Sequence, residues 1–126
     1  MTLIEYCAEK IYDGFALARF SSKFDKEAVT MLLKAFPKRF MCYKGTTFIF
    51  LRLSDESYEE LKAGVIDLTD PGVLLPLFEE DGDNIHILGV VSNSVKDMLF
   101  LCRYMKLKSL SWYTPDMRRF VKFERG

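Results

Sequence analysis

The stretch that decides the fold runs from Asn84 to Tyr113 and reads NIHILGVV (84–91), SNS (92–94), VKDMLFLCRYM (95–105) and, after one lysine, LKSLSWY (107–113). The first run is rich in branched aliphatic residues and predicts a strand. Ser92–Ser94 predicts a helix cap, the third run a helix, and the last run a second strand. A strand, a capped helix and a second strand within about 30 residues indicate a βαβ unit.

Two helices are predicted at the start of the chain. Apolar residues recur at helical spacing over residues 3 to 20 despite Gly14, although Phe15–Phe20 also fits a strand. Ser22 and Asp25 are candidate N-caps for a second helix, which the proline at position 37 should end. Two successive apolar faces predict a packed helix pair.

A hairpin and two shorter helices are predicted to follow. Phe40–Tyr43 and Phe48–Leu53 flank a glycine-containing turn, which indicates antiparallel pairing. An acidic segment begins at Asp55 and suits a helix N-terminus. Asp70 is followed by a proline, which is the order of an N-cap and a first helical residue, so a second short helix should begin there. Arg118–Glu124 should form a terminal edge strand protected by basic side chains.

These elements predict an α/β (α+β) fold with one mixed sheet, an N-terminal helix pair, a central hairpin and a C-terminal βαβ unit. The 126 residues, of which 49% are hydrophobic, suit a single domain over residues 1–126 with a compact core. No apolar run approaches the roughly 20 residues of a membrane span, and Glu5 and Glu9 argue against a signal peptide. The three cysteines lack CxxC spacing, which disfavours a disulfide framework or thiolate metal site and favours a reducing cytoplasm.

Charge is segregated along the chain although the net charge is zero. Residues 54–83 hold ten acidic side chains against Lys62 alone, whereas residues from Arg103 onward hold seven basic side chains against two acidic ones. We expect these surfaces to attract each other within the fold or across a self-association contact. Nucleic acid is disfavoured as a partner because the acidic segment would repel a polyanion.

The C-terminal third resembles the GNAT superfamily of N-acetyltransferases, especially short divergent phage members. The matching pieces are the strand Ile85–Val91, the helix Val95–Met105, and the strand Lys108–Tyr113 with Arg118–Phe120 after it. In that family the first of these strands leads into a loop that binds the pyrophosphate of acetyl-CoA, and the next strand splays away to admit the pantetheine arm. The resemblance implies a cofactor contact at a short run of residues: Val91, Ser92, Asn93, Ser94 and Lys96.

This junction departs from the family pattern, which is Arg/Gln-x-x-Gly-x-Gly/Ala. The chain has no glycine there, and a backbone without glycine obstructs the close approach of a diphosphate. Asp97 adds a negative charge that would repel phosphate. The alternative interpretation, a capped structural junction, is therefore preferred, with no cofactor expected unless the chain is catalytic and uses acetyl-CoA.

Two residues are candidates for acid–base chemistry. His86 is the only histidine, and an imidazole titrates near neutrality, so it could serve as a general base. Its alternative role is structural. Tyr113 lies near where the family's thiolate-protonating tyrosine would be reached, and its alternative role is packing at a strand end. No metal site is expected, because the acidic turn Asp81–Asp83 lacks EF-hand spacing.

The functional expectation is a GNAT-like domain that acts through contacts with a protein partner or with itself. The resemblance to phage members implies a phage-encoded accessory or virion-assembly protein, located in the host cytoplasm or the virion. The alternative is an active acetyl-CoA-dependent N-acyltransferase.

Overall fold

The computed structural model describes residues 2–14, 24–43, 46–91, 96, 103, 107–114 and 118–124. Within these residues a five-stranded mixed sheet is combined with four α-helices. The elements follow in the order α1 (Leu3–Gly14), α2 (Lys26–Ala35), a 3₁₀ turn (Pro37–Arg39), β1 (Phe40–Tyr43), β2 (Thr46–Leu53), α3 (Asp55–Lys62), α4 (Pro71–Leu77), β3 (Asn84–Val91), β4 (Ser109–Tyr113) and β5 (Phe120–Glu124). The predicted α/β class with one mixed sheet is confirmed.

The strands lie in chain order across the sheet, from β1 to β5. β1, β2 and β3 form antiparallel pairs, with a bulge in β2 between Ile49 and Phe50. β3 and β4 are parallel, as the predicted βαβ unit requires, and β5 returns antiparallel to β4. In the described sheet β5 is a terminal strand, as predicted for the end of the chain.

Side-chain caps fix the starts of three helices. Asp25 accepts a hydrogen bond from the amide of Ala28 at the start of α2. Ser54 caps α3 through the amide of Ser57, and Asp70 caps α4, with proline at the first helical position. Each cap satisfies an amide that has no partner within its helix. The caps predicted at Asp25 and Asp70 are confirmed.

Parts of two predicted helices lie outside the described residues. The helix predicted over residues 3–20 is observed as α1, which ends at Gly14, and residues 15–20 are not described. Of the helix predicted over residues 95–105, only Lys96 and Arg103 are described, and both are helical. The strand predicted from Leu107 begins two residues later, at Ser109.

The sheet is buried on both faces along its centre. The larger core cluster joins α1 and α2 to one face through residues that include Leu33, Leu51 and Leu88. A second cluster is built on Phe48, Phe50, Ile85, Ile87 and Leu110. Since successive strand residues point to opposite faces, β2 and β3 are central strands with two apolar sides. None of the helices in the described part of the chain has the length and apolar character needed to cross a membrane.

Candidate functional site

His86 lies in the middle of β3 and is 1% exposed. Its Nδ1 is 2.8 Å from the hydroxyl oxygen of Ser111, the residue that faces it in the parallel register of β4. Its ring stacks on Phe120 at 5.8 Å and meets Tyr113 edge-on at 5.6 Å. Burial lowers the pKa of His86 to about 3, because the charged imidazolium would lose its hydration. His86 is therefore a neutral imidazole enclosed by aromatic rings.

The pair formed by His86 and Ser111 has the atoms of a nucleophile and its base within hydrogen-bonding distance. Ser111 is 0% exposed, so neither member faces solvent. A general base or nucleophile has to reach a substrate atom within about 3 Å. In this arrangement the pair holds β3 and β4 together, and its geometry favours the structural role.

Tyr113 lies at the end of β4 and is only partly buried. Burial raises its pKa, so the phenol is protonated at neutral pH and is able to donate a proton. The parallel ladder ends beside it: β3 and β4 pair from Asn84 with Ser109 as far as Ile87 with Trp112, while β3 continues to Val91. The two strands thus stop pairing at the end of the sheet where the resemblance places a splayed strand.

The predicted cofactor loop is only partly described. Val91 is the last residue of β3, and its backbone pairs with Thr47 of β2. Lys96 is helical and exposed. Ser92, Asn93 and Ser94 lie outside the described residues, so the loop itself contributes no geometry to the site.

A polar network occupies the opposite end of the parallel strands. Asn84 begins β3 and Ser109 begins β4, and the Ser109 hydroxyl donates to Asn84 Oδ1 at 2.8 Å. Asn84 Nδ2 donates to Asp55 Oδ1 at 2.9 Å and to the backbone oxygen of Leu53 at 3.2 Å. Lys108 Nζ donates to the other Asp55 oxygen at 2.9 Å. These contacts tie the start of α3 to the starts of β3 and β4.

Sequence reasoning missed this network. The sequence feature nearest to this network is the alternation of Ser109 and Ser111 with Leu110 and Trp112, a pattern typical of a strand with one solvated face. In the structure both serines are buried, at 2% and 0% exposure. Ser109 faces Asn84 of β3, and Ser111 faces His86. Only the register between the two strands identifies these pairs.

Tyr58 of α3 lies beside this polar network. Its side chain is buried at 3% exposure, and its enclosed hydroxyl interacts with Ser109, although it makes no hydrogen bond of good geometry among the described residues. Burial and the nearby Glu124 carboxylate raise its pKa, so the phenol keeps its proton. With the polar network it lines a cavity of about 280 Å³.

An apolar groove of about 270 Å³ lies between α2 and α4. Its walls include Leu32 and Phe36 from the α2 side and Leu74 from α4. Met31 and Leu75 also line it and remain 64% and 44% exposed.

The described residues include no cluster of three or more histidine, cysteine or carboxylate side chains placed to hold a metal ion. The resemblance implies that a phosphate-bearing cofactor would contact the loop after Val91, of which only Lys96 is described. Comparison of the chain with protein-family models, with curated proteins and with solved structures gave no match.

Proposed function

We propose that this chain is a GNAT-like protein-contact domain that associates with a second copy of itself and has a degenerate acyl-CoA site. The apolar groove between α2 and α4 carries the proposal. Met31 and Leu75 at its rim are large apolar side chains that face solvent. Complete burial of a fully exposed side chain of this size contributes about 1.5–3 kcal/mol, so burial of the exposed fractions of Met31 and Leu75 would each contribute about 1–2 kcal/mol. Two such anchors support a weak, reversible contact once the entropic cost of association is subtracted.

Exposed charges support a second copy as the partner. Glu56 and Glu60 on α3 are exposed, as are Lys96, Arg103 and Arg119, and these five have no ion-pair partner within the described ranges. A chain with zero net charge and separate acidic and basic surfaces is complementary to another copy of itself. The contact should therefore weaken as salt screens the charges.

Only some of the segregated charges form ion pairs inside the fold. Lys108 pairs with Asp55 at 2.9 Å, and Lys62 lies 3.4 Å from Glu124. The Lys108–Asp55 pair is well exposed on both sides, and exposed pairs contribute little to stability. Five exposed charges without an ion-pair partner within the described ranges are available to a partner: Glu56, Glu60, Lys96, Arg103 and Arg119. Together with the resemblance to phage members, a self-associating domain suits an accessory or virion-assembly role.

Sedimentation velocity over a range of protein concentrations, at low and high salt, tests the proposal. We expect a reversible dimer at low salt that weakens in Met31→Asp and Leu75→Asp. Val65→Asp is the matched control, because Val65 is 73% exposed and does not line the groove. A chain that is monomeric at every concentration and salt would refute the proposal. A dimer equally weakened by all three substitutions would exclude the groove as the contact.

The second candidate is an acetyl-CoA-dependent N-acyltransferase. It is favoured by the end of the β3–β4 ladder at Ile87 and Trp112, beside a protonated Tyr113 that could act as the general acid. Enclosure of His86 leaves that residue without a role as base in this alternative.

Calorimetric titration with acetyl-CoA separates the two candidates. The self-association proposal predicts no saturable heat at micromolar cofactor. The enzyme predicts micromolar binding, with turnover of an amine acceptor lost in Tyr113→Phe while binding is retained. Binding with such turnover would establish the acyltransferase.

A further inference from the structure

The outer surface of α2 carries one large apolar side chain and two charges of opposite sign. Val29 and Leu33 point into the core and are 0% exposed. Met31 lies on the other side of the helix, 64% exposed at the rim of the apolar groove. Glu27 and Lys34 are also exposed, and neither has an ion-pair partner within the described ranges. The outer surface of α2 is therefore free to meet a partner.

Helical geometry arranges these side chains around Met31. At about 3.6 residues per turn, residues three and four positions away lie beside it. Glu27 and Lys34 project on one side of Met31, from the first and the last turn of α2. Ala28 and Ala35 project on the other side, where they line the groove. The methionine thus stands between two short side chains and a pair of opposite charges.

Such a surface is complementary to itself when two copies of α2 run antiparallel. Around a two-fold axis close to Met31, the first turn of each helix lies beside the last turn of the other. Glu27 of each copy then faces Lys34 of the other copy, which gives two symmetry-related ion pairs. The short side chains of Ala28 and Ala35 let the helix axes approach closely, because the distance between packed helices depends on the side chains at the contact. A parallel pair would instead bring like charges together.

We propose that the partner segment at the groove is α2 of a second copy, packed antiparallel across a two-fold axis near Met31 with reciprocal Glu27–Lys34 ion pairs. This inference rests on the proposed self-association and specifies its geometry. Met31 of each copy would lie against the groove of the other copy, with the 44% exposed Leu75 of α4 at the far edge of the contact. Both charges are exposed, so salt should weaken the pairs.

Charge reversal followed by sedimentation velocity at low salt tests this arrangement. Glu27→Lys and Lys34→Glu each turn two attractions into two repulsions, so each should raise the dimer dissociation constant about tenfold. The double variant, Glu27→Lys with Lys34→Glu, forms both pairs again with the charges exchanged and should regain most of the lost affinity. Lys10→Glu is the matched control, because Lys10 is an exposed lysine on α1 that does not line the groove. It changes the net charge as much as Lys34→Glu and should leave the dimer unchanged.

The double variant also separates pairing between copies from the local role of these charges. Glu27 in the first turn and Lys34 in the last turn both interact favourably with the dipole of their own helix. If the two charges acted only through that dipole, the double variant would be the weakest dimer of the three. If they pair between copies, it should associate more tightly than either single variant.

Three results would overturn the inference. One is a dimer that both single reversals leave unchanged, as a parallel pair predicts. Another is a double variant no tighter than the single variants. The last is an equal loss of affinity in Lys10→Glu, which would assign the effect to net charge. In each case a dimer that still weakens in Met31→Asp keeps the groove contact, whereas a wild-type chain that is monomeric at every concentration refutes the proposed function itself.

Discussion

Acidification should destabilise this protein through His86 before its carboxyl groups protonate. In the folded chain burial holds the pKa of His86 at about 3, against 6.5 for an ordinary histidine. Below pH 6.5 the unfolded chain binds a proton that the folded chain does not bind. Stability is therefore fully present above that pH and decreases as the pH falls towards 3.

The size of the effect follows from that difference. Once the pH is well below 6.5, each further pH unit costs about 1.4 kcal/mol, so the loss between about pH 7 and about pH 5 is about 2 kcal/mol. This loss is a large share of the roughly 5–15 kcal/mol that stabilises a typical protein. His86 is the only histidine, and hydrogen bonds from Asn84 and Lys108 lower the pKa of the Asp55 carboxyl group, so Asp55 stays ionised in this window.

Urea unfolding at several pH values between about 5 and 7 measures the loss, with His86→Asn as the comparison. Asparagine keeps a polar group near the position of Nδ1, opposite Ser111, but does not titrate. The variant should be less stable at neutral pH because it loses the stacking on Phe120. Its stability should nevertheless change by less than about 0.5 kcal/mol across the window. An equal pH dependence in wild type and variant would refute the assignment of the effect to His86.

Two further predictions concern packing. Burial and the neighbouring Cys42 thiol raise the pKa of Cys7 to about 11. Iodoacetamide near neutral pH should therefore alkylate the exposed Cys42 well before the buried Cys7, and peptide mass spectrometry locates the label. Equal labelling of the two cysteines in the native protein would contradict this geometry. Gly82→Ala should destabilise the fold by about 2 kcal/mol or more, because a Cβ at position 82 would collide with the backbone carbonyl of Leu53. Urea unfolding measures the loss of stability. An unchanged unfolding midpoint would count against the close approach of the two backbones.

The fold was largely predictable because its elements carry local signals. Asn84–Val91 is a strand with the predicted bounds, since an apolar run is delimited by an acidic turn before it and a capping triplet after it. The cap at Asp70 and the hairpin strand Phe40–Tyr43 follow from equally local chemistry. Each of these features depends on residues that are neighbours in the chain, and a sequence shows such neighbours directly.

The polar network could not be predicted in the same way, because it depends on register across about 25 residues. Ser109 alternates with apolar residues in its strand, and nothing local assigned Asn84 as its partner. The hydroxyl of Tyr58 likewise belongs to a helix whose pattern explains its burial but not the polar surroundings of its tip. Long-range pairing therefore created the site that the sequence analysis missed.

The two polar pairs between β3 and β4 show that the surroundings of a pair, more than its residue types, decide its role. Asn84 with Ser109 and His86 with Ser111 have the same spacing, the same strands and similar hydrogen-bond lengths of 2.8 Å. Phe120 and Tyr113 enclose the second pair, so the group with the more reactive chemistry is neutral and structural. The first pair is equally buried, at 2% exposure for each residue, but Asn84 also donates to Asp55, which pairs with the exposed Lys108. The pair at the amino ends of the parallel strands is therefore connected to surface charge, whereas the pair that contains the only histidine is enclosed by aromatic rings.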